Sequence, residues 1–233
     1  MRKTMILLLL VLCVVLNPAF AETPANVTAK VEQLKQAVAQ HPDDPSLLNQ
    51  LGEKFYQVGD YSQAETLLKR SLAIWEKTLG SNHPNVANSL NNLAVIYMHQ
   101  GRYAESEPLF RRSLAIGEKA LGSDHPDVAD SLYNLAEIYR LQGRYAEAEP
   151  LCKRSLAIRE KALGSDHPDV ANRLSNLAVL YQDQGRYAEA GPLVKRSLAI
   201  YEKALGKDHP YVATSLNNLA VLYQEQGLSL IHI

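Results

Sequence analysis

The sequence predicts an all-α chain, folded as a right-handed superhelical solenoid of antiparallel helix pairs. Three observations carry that prediction. His-Pro recurs at His41, His83, His125, His167 and His209, 42 residues apart each time. Between copies the apolar residues fall at helical spacing rather than alternating as in a strand. Each helical stretch then closes on a glycine, such as Gly143 and Gly164. A fixed period of this length marks a repeat array, in which each unit buries its apolar face against its neighbours.

In chain order, residues 1–21 read as a secretory signal peptide. Arg2 and Lys3 form a basic start, Met5 to Leu16 is an uncharged apolar run, and Ala19-Phe20-Ala21 places small residues at the two cleavage positions. Twelve residues at 1.5 Å each reach roughly 18 Å as a helix, short of a bilayer core of about 30 Å. No membrane span is therefore expected in the mature chain. The expected product begins at Glu22 and is periplasmic or secreted. Residues 22–40 read as an N-terminal capping helix.

The solenoid occupies 41–227, as repeats 41–82, 83–124, 125–166 and 167–208 and a partial repeat 209–227. Within 125–166, a first helix is expected from about Asp127 to Gln142. Leu132, Leu135, Ala136 and Tyr139 make one stripe along it. Gly143 closes that helix in the left-handed conformation open to glycine. A second helix is expected from about Tyr145 to Leu163, with Leu151, Ser155, Leu156 and Leu163 on its buried side. Pro108, Pro150 and Pro192 lie one turn into the second helices and are expected to fix how those helices begin. After Gly227 the repeat breaks into Leu228-Ser229-Leu230-Ile231-His232-Ile233. These six residues resemble a translated sequencing-library adapter and are expected to be a non-native tail on a fragment.

Composition narrows the function. Hydrophobic residues make up 46% of the chain and charged residues 21%, with a formal net charge of −1. Removing the signal takes away two basic residues and no acidic one, moving the net charge to −3. Neither value suits a nucleic-acid or anionic-lipid surface. One cysteine then remains, Cys152, so packing rather than a disulfide must stabilise the chain.

The pattern Leu135-Ala136, Tyr139, Gly143, Tyr145, Ala148, Leu156 resembles the tetratricopeptide repeat. The 42-residue period and the phrases SLNNLAVLYQEQG and RYAEAEPL-KRSLAI-EKALG-DHP are similar to the repeats of kinesin light chains and their bacterial relatives. The likeness runs over residues 41–227, about 80% of the chain. It implies a scaffold for protein or peptide partners, without catalysis or cofactor. The signal peptide favours the bacterial branch. Bacterial relatives can carry a further domain, such as a caspase-like peptidase, so the alternative expectation is the recognition arm of a larger enzyme.

A ligand site is expected where one polar position repeats. Asn92, Asn134, Asn176 and Asn218 precede the buried leucine of four first helices, and Gln50 holds the place in the first copy. Asparagine offers both a donor and an acceptor, matching a peptide unit. The resemblance implies that asparagines here bind peptide main chain. Specificity is expected from the variable neighbours Asn91, Tyr133, Ser175 and Asn217, from Val95, Glu137, Val179 and Val221, and from Met98, Arg140, Gln182 and Gln224. The groove shows no Lys/Arg cluster for a terminal carboxylate, so internal peptide segments or a folded partner's helix are the expected ligands.

Other patterns point to structure. Successive His-Pro loops lie about 10 Å apart, the spacing of packed helices, too far to share a metal ion. Capping is the expected histidine role, and no metal site is expected. The basic pairs Lys69-Arg70, Arg111-Arg112, Lys153-Arg154 and Lys195-Arg196 are interleaved with Glu76, Glu118, Glu160 and Glu202 on the same helices, which predicts a solvated, salt-bridged outer face. Cys152 stands where other copies have Leu68, Phe110 and Val194, and is expected to be a packing thiol.

Overall fold

A computed structural model describes residues 24–227. Residues 1–21, expected as a signal peptide, and residues 228–233, expected as a tail, lie outside the described residues. Ten helices are described: α1 Pro24–Gln40, α2 Pro45–Gln57, α3 Tyr61–Leu79, α4 Pro84–His99, α5 Tyr103–Leu121, α6 Pro126–Leu141, α7 Tyr145–Leu163, α8 Pro168–Asp183, α9 Tyr187–Leu205 and α10 Pro210–Glu225. There is no strand among the described residues. The helices form the expected superhelical array of antiparallel pairs. Each packs against its chain neighbours, and the first helices α2 and α4, α4 and α6, and α6 and α8 also touch across successive repeats.

Local chemistry sets the boundaries. His83, His125, His167 and His209 sit in extended backbone just before α4, α6, α8 and α10. The Nδ1 atom of each accepts the amide of the residue two further on, as His125 does from Asp127 at 3.2 Å. The proline between them costs nothing, because a helix's first amides lack intrahelical partners. The first copy departs from this pattern. His41 is exposed in a turn, and Asp44 caps α2 by accepting from the Ser46 and Leu47 amides. A carboxylate that reaches two amides is the better cap, so α2 starts three residues after the position that the 42-residue register gives it.

The repeat core is built on small contacts. Leu48, Leu90, Leu132 and Leu174 are fully buried at one register position. Ser71, Ser113, Ser155 and Ser197 are buried too, and each hydroxyl donates to a carbonyl of the paired first helix at 2.7–2.8 Å. The short side chain lets the helices approach closely while the bond satisfies its polar atom. On α7 the buried side is Ala148, Cys152, Ser155 and Ile158. Ser155 is buried as expected, and Leu151 and Leu156 are half-buried and packed against the core. Leu163 is exposed, contrary to expectation, because the buried side of α7 ends at Ile158, more than a turn before the helix does. The helix prolines do not define the helix start either. α3, with Thr66 at that position, has the same 19-residue length as α5, α7 and α9.

Candidate functional site

The first helices α2, α4, α6, α8 and α10 line two clefts that share Met98 and His99 as a wall. A cleft of about 270 Å³ lies between α2, α4 and α6 and is lined by Glu53, Tyr56, Asn92, Val95 and Asn134 among others. A second, of about 210 Å³, lies between α4, α6, α8 and α10. Tyr133, Glu137, Arg140, Asn176 and Asn218 line it, with Tyr201 of α9 at its side. Seven of the expected site residues thus line these two clefts, with Asn92 and Asn134 in the first and the other five in the second. Gln50 and Asn217 are exposed and line neither cleft. Asn91 sits half-buried beside the ladder as a partner of Asn134.

Three amides of the ladder donate within the fold. Asn92 Nδ2 donates to Glu53 Oε1 at 2.6 Å and to Asn49 Oδ1 at 3.4 Å. Asn134 Nδ2 donates to Asn91 Oδ1 at 3.0 Å. Tyr133 offers no such acceptor to Asn176, whose amide turns back to Asn172 Oδ1 on its own helix at 3.1 Å. The Oδ1 atoms of Asn92, Asn134 and Asn176 receive no hydrogen bond from a described residue. The row therefore presents acceptors, and the Asn134 and Asn176 amides, with one hydrogen bond each, keep a second N–H.

Five contacts between successive first helices join residues 43 apart, one more than the repeat, while Asn92–Glu53 and Ser89–Asn49 span 39 and 40. The pairs Asn49–Asn92 and Asn91–Asn134 obey this offset, as do Tyr56–His99, Asp130–Arg173 and Arg140–Asp183. Helices stacked in a superhelix are rotated against one another, so equal repeat positions do not face each other.

The electrostatics follow from these pairings. Arg140 is held by Glu137 three residues earlier and by Asp183 on the next repeat. Burial opposes its charge, but the two carboxylates more than compensate and hold its pKa above the ordinary value. Neither Arg140 nor Glu137 is therefore a free charge. The Tyr133 phenol is buried, with its pKa raised by desolvation, and Arg173 lies over its ring at 4.4 Å. Burial raises the pKa of Glu53 despite the two asparagine amides that bind it, and lowers that of His99.

Sequence reasoning missed Glu53, Tyr56, His99, Tyr201 and Tyr211 as groove residues. A signal existed. His99 aligns with Leu141, Asp183 and Glu225, and Tyr201 aligns with Trp75, Gly117 and Arg159, so both depart from the repeat. Cys152 takes the packing role expected of it. Cys152 is a free, buried thiol whose pKa desolvation pushes up to about 12. No group of His, Cys, Asp or Glu among the described residues could hold a metal ion. No described helix is long and apolar enough to cross a membrane. Seven of the eight residues in the basic pairs are ion-paired, with Arg112–Glu76, Arg154–Glu118 and Arg196–Glu160 joining successive second helices rather than one helix, while Lys195 lies over the Tyr223 ring.

Helix pairs stacked around an asparagine-lined inner surface define a tetratricopeptide solenoid. The chain belongs to the tetratricopeptide-repeat family, whose repeat pattern matches residues 43–97, 87–149, 127–190 and 171–229. Among solved structures it is similar to a Podosopora anserina protein with nearly identical TPR-like repeats, provisionally assigned as a kinesin light chain. The two are 35% identical over 80% of this chain and 89% of that one, with a TM-score of 0.70. It also shares the fold of BtubC (BKLC) from P. vanneervenii, at 23% identity and a TM-score of 0.71 over 87% of this chain and 82% of that one. MamA is similar at 17% identity and a TM-score of 0.56, over 78% and 92% of the two chains. No curated protein sequence matches. Proteins of this family are typically non-catalytic scaffolds that bind other proteins.

Proposed function

We propose that this protein is an interaction scaffold whose concave face holds an extended segment of another polypeptide. The observation that carries the reading is the row of asparagine acceptors along two clefts with a common wall. An extended peptide has a free amide every residue, and an acceptor row can take those amides whatever the side chains. The variable cleft residues then select among segments. Tyr133, Tyr201 and Tyr211 give the second cleft aromatic walls with polar tips, a composition common at interface hot spots.

The test is panning a displayed random dodecapeptide library on the purified protein. The recovered peptides are then titrated into the Asn92→Ala, Asn134→Ala, Asn176→Ala triple variant. Weakened binding with helicity retained supports the reading. Unchanged affinity places binding elsewhere.

We also propose that the chain is exported from a bacterial cytoplasm. Support comes from the basic start, short apolar run and Ala-Phe-Ala of residues 1–21. N-terminal sequencing of protein from the envelope or medium is expected to begin at Glu22. A retained Met1 rejects the proposal.

A further inference from the structure

The cleft between α2, α4 and α6 has a chemistry that the repeat pattern does not supply. Its wall carries one carboxylate, Glu53, at a position held by Val95, Val179 and Val221 in three other copies. The hydrogen-bond partners of Glu53 are amides, not cations. Asn49 Nδ2 and Asn92 Nδ2 both converge on Oε1, at 2.7 and 2.6 Å. No described residue donates to Oε2. The side chain stands exposed along the cleft while its carboxyl tip rests against the neighbouring helix, where partial desolvation leaves the charge under-compensated. Glu137, two repeats on, differs because Arg140 neutralises it at 2.6 Å.

The surroundings of Glu53 fit a long cationic side chain. Tyr56 and His99 form an aromatic wall, their rings 5.3 Å apart and the Tyr56 hydroxyl 2.8 Å from His99 Nε2. The face of a tyrosine ring attracts a cation. Val95 and Met98 supply an apolar strip along the same cleft. Lysine and arginine carry an apolar stem below a charged head and bury one while the other finds its partner. A single carboxylate flanked by amides offers too few hard ligands for a divalent cation, which takes six or more oxygens.

We propose that this cleft receives a lysine or arginine side chain of the bound segment, with Glu53 Oε2 as the charged acceptor. The inference rests on the concave-face reading and adds to it the class of side chain selected.

The test uses the full chain and the same displayed dodecapeptide library. Recovered peptides are expected to be enriched in Lys or Arg at one position. For such a peptide, Glu53→Gln should weaken binding about 10-fold, as expected for loss of a charge-assisted bond. The same substitution should change the affinity of its Lys→Met counterpart by less than about 2-fold. Glu53→Lys should abolish binding of the parent and restore it for the Lys→Glu peptide. Equal loss with parent and Met peptides overturns the proposal, as does enrichment of acidic or neutral peptides. Peptides sensitive to the triple asparagine variant but not to Glu53→Gln overturn this inference and leave the groove reading standing. Peptides insensitive to both variants, or no recovered peptide at all, overturn both.

Discussion

Glycine at the end of each first helix is a choice forced by one backbone angle. Gly143 has φ 73°, in the left-handed region. That turn lets the Gly143 amide reach the Arg140 carbonyl at 3.0 Å and the Arg144 amide reach that of Tyr139 at 2.7 Å. Two otherwise orphaned helix-end carbonyls are satisfied. A Cβ added there meets nothing within 4 Å, so the cost of a side chain is conformational rather than steric. Gly143→Ala is expected to destabilise the protein by about 1–2 kcal/mol, read as a lowered urea midpoint with unchanged helicity. Gly143→Asn should cost less, because asparagine visits this region more readily. A neutral Gly143→Ala would show that the turn relaxes.

Successive repeats are joined by a staple that recurs three times. Arg144, in the turn between α6 and α7, lies over the Tyr139 ring at 4.2 Å and pairs with Glu107 of the preceding second helix and with Glu147. Arg102 does the same with Tyr97, Glu65 and Glu105, and Arg186 with Tyr181, Glu149 and Glu189. Hydrogen bonds from Arg186 and then Lys153 hold the Glu149 carboxyl at about 2, against an ordinary 4.5. A depressed folded-state pKa contributes stability that is fully present above the unfolded value and is lost as pH falls through the folded one. The stability difference between the native protein and Glu149→Gln should therefore be largest above pH about 4.5. It should shrink between about 4.5 and about 2. Urea melts at pH 7, 4 and 2.5 measure it, and a difference independent of pH would remove the staple as its source.

At the scale of the whole molecule, the solenoid repeats one unit without repeating one environment. The register position fully buried in Leu48, Leu90, Leu132 and Leu174 is 42% exposed in Leu216, because α10 has no described second helix over that stripe. On the inner face the same stacking turns scattered residues into a surface, and there the function is tested. Each lost hydrogen bond is worth about 0.5–1.5 kcal/mol net. The triple asparagine variant should therefore lose about 10- to 1,000-fold in peptide affinity if the three act independently. Asn92 and Asn134 also bridge helices, so thermal melts belong beside the calorimetry. A lowered midpoint with intact affinity would assign them to the fold alone.

The sequence by itself determined the helices, their order and most of their ends. Those features depend on signals within a few residues: the His-Pro cap, the glycine stop, and apolar spacing repeated every 42 residues. Where a stronger local signal intervened, as Asp44 does after His41, the period misplaced the helix start. On α7 the sequence reading placed Ser155 correctly but ran on to the exposed Leu163 and passed over Ala148 and Ile158, because a stripe of mixed Leu, Ser and Ala does not mark which edge meets the neighbour. Only the tertiary structure decided which side chains face each other. Periodicity aligns residue n with n+42, but the rotation between stacked helices sets Asn91 against Asn134, Tyr56 against His99 and Arg140 against Asp183. That single-residue offset sets Asn49 and Asn91 against the Asn92 and Asn134 amides and Asp183 against Arg140, because contact depends on the angle between helices and not on their spacing in the chain.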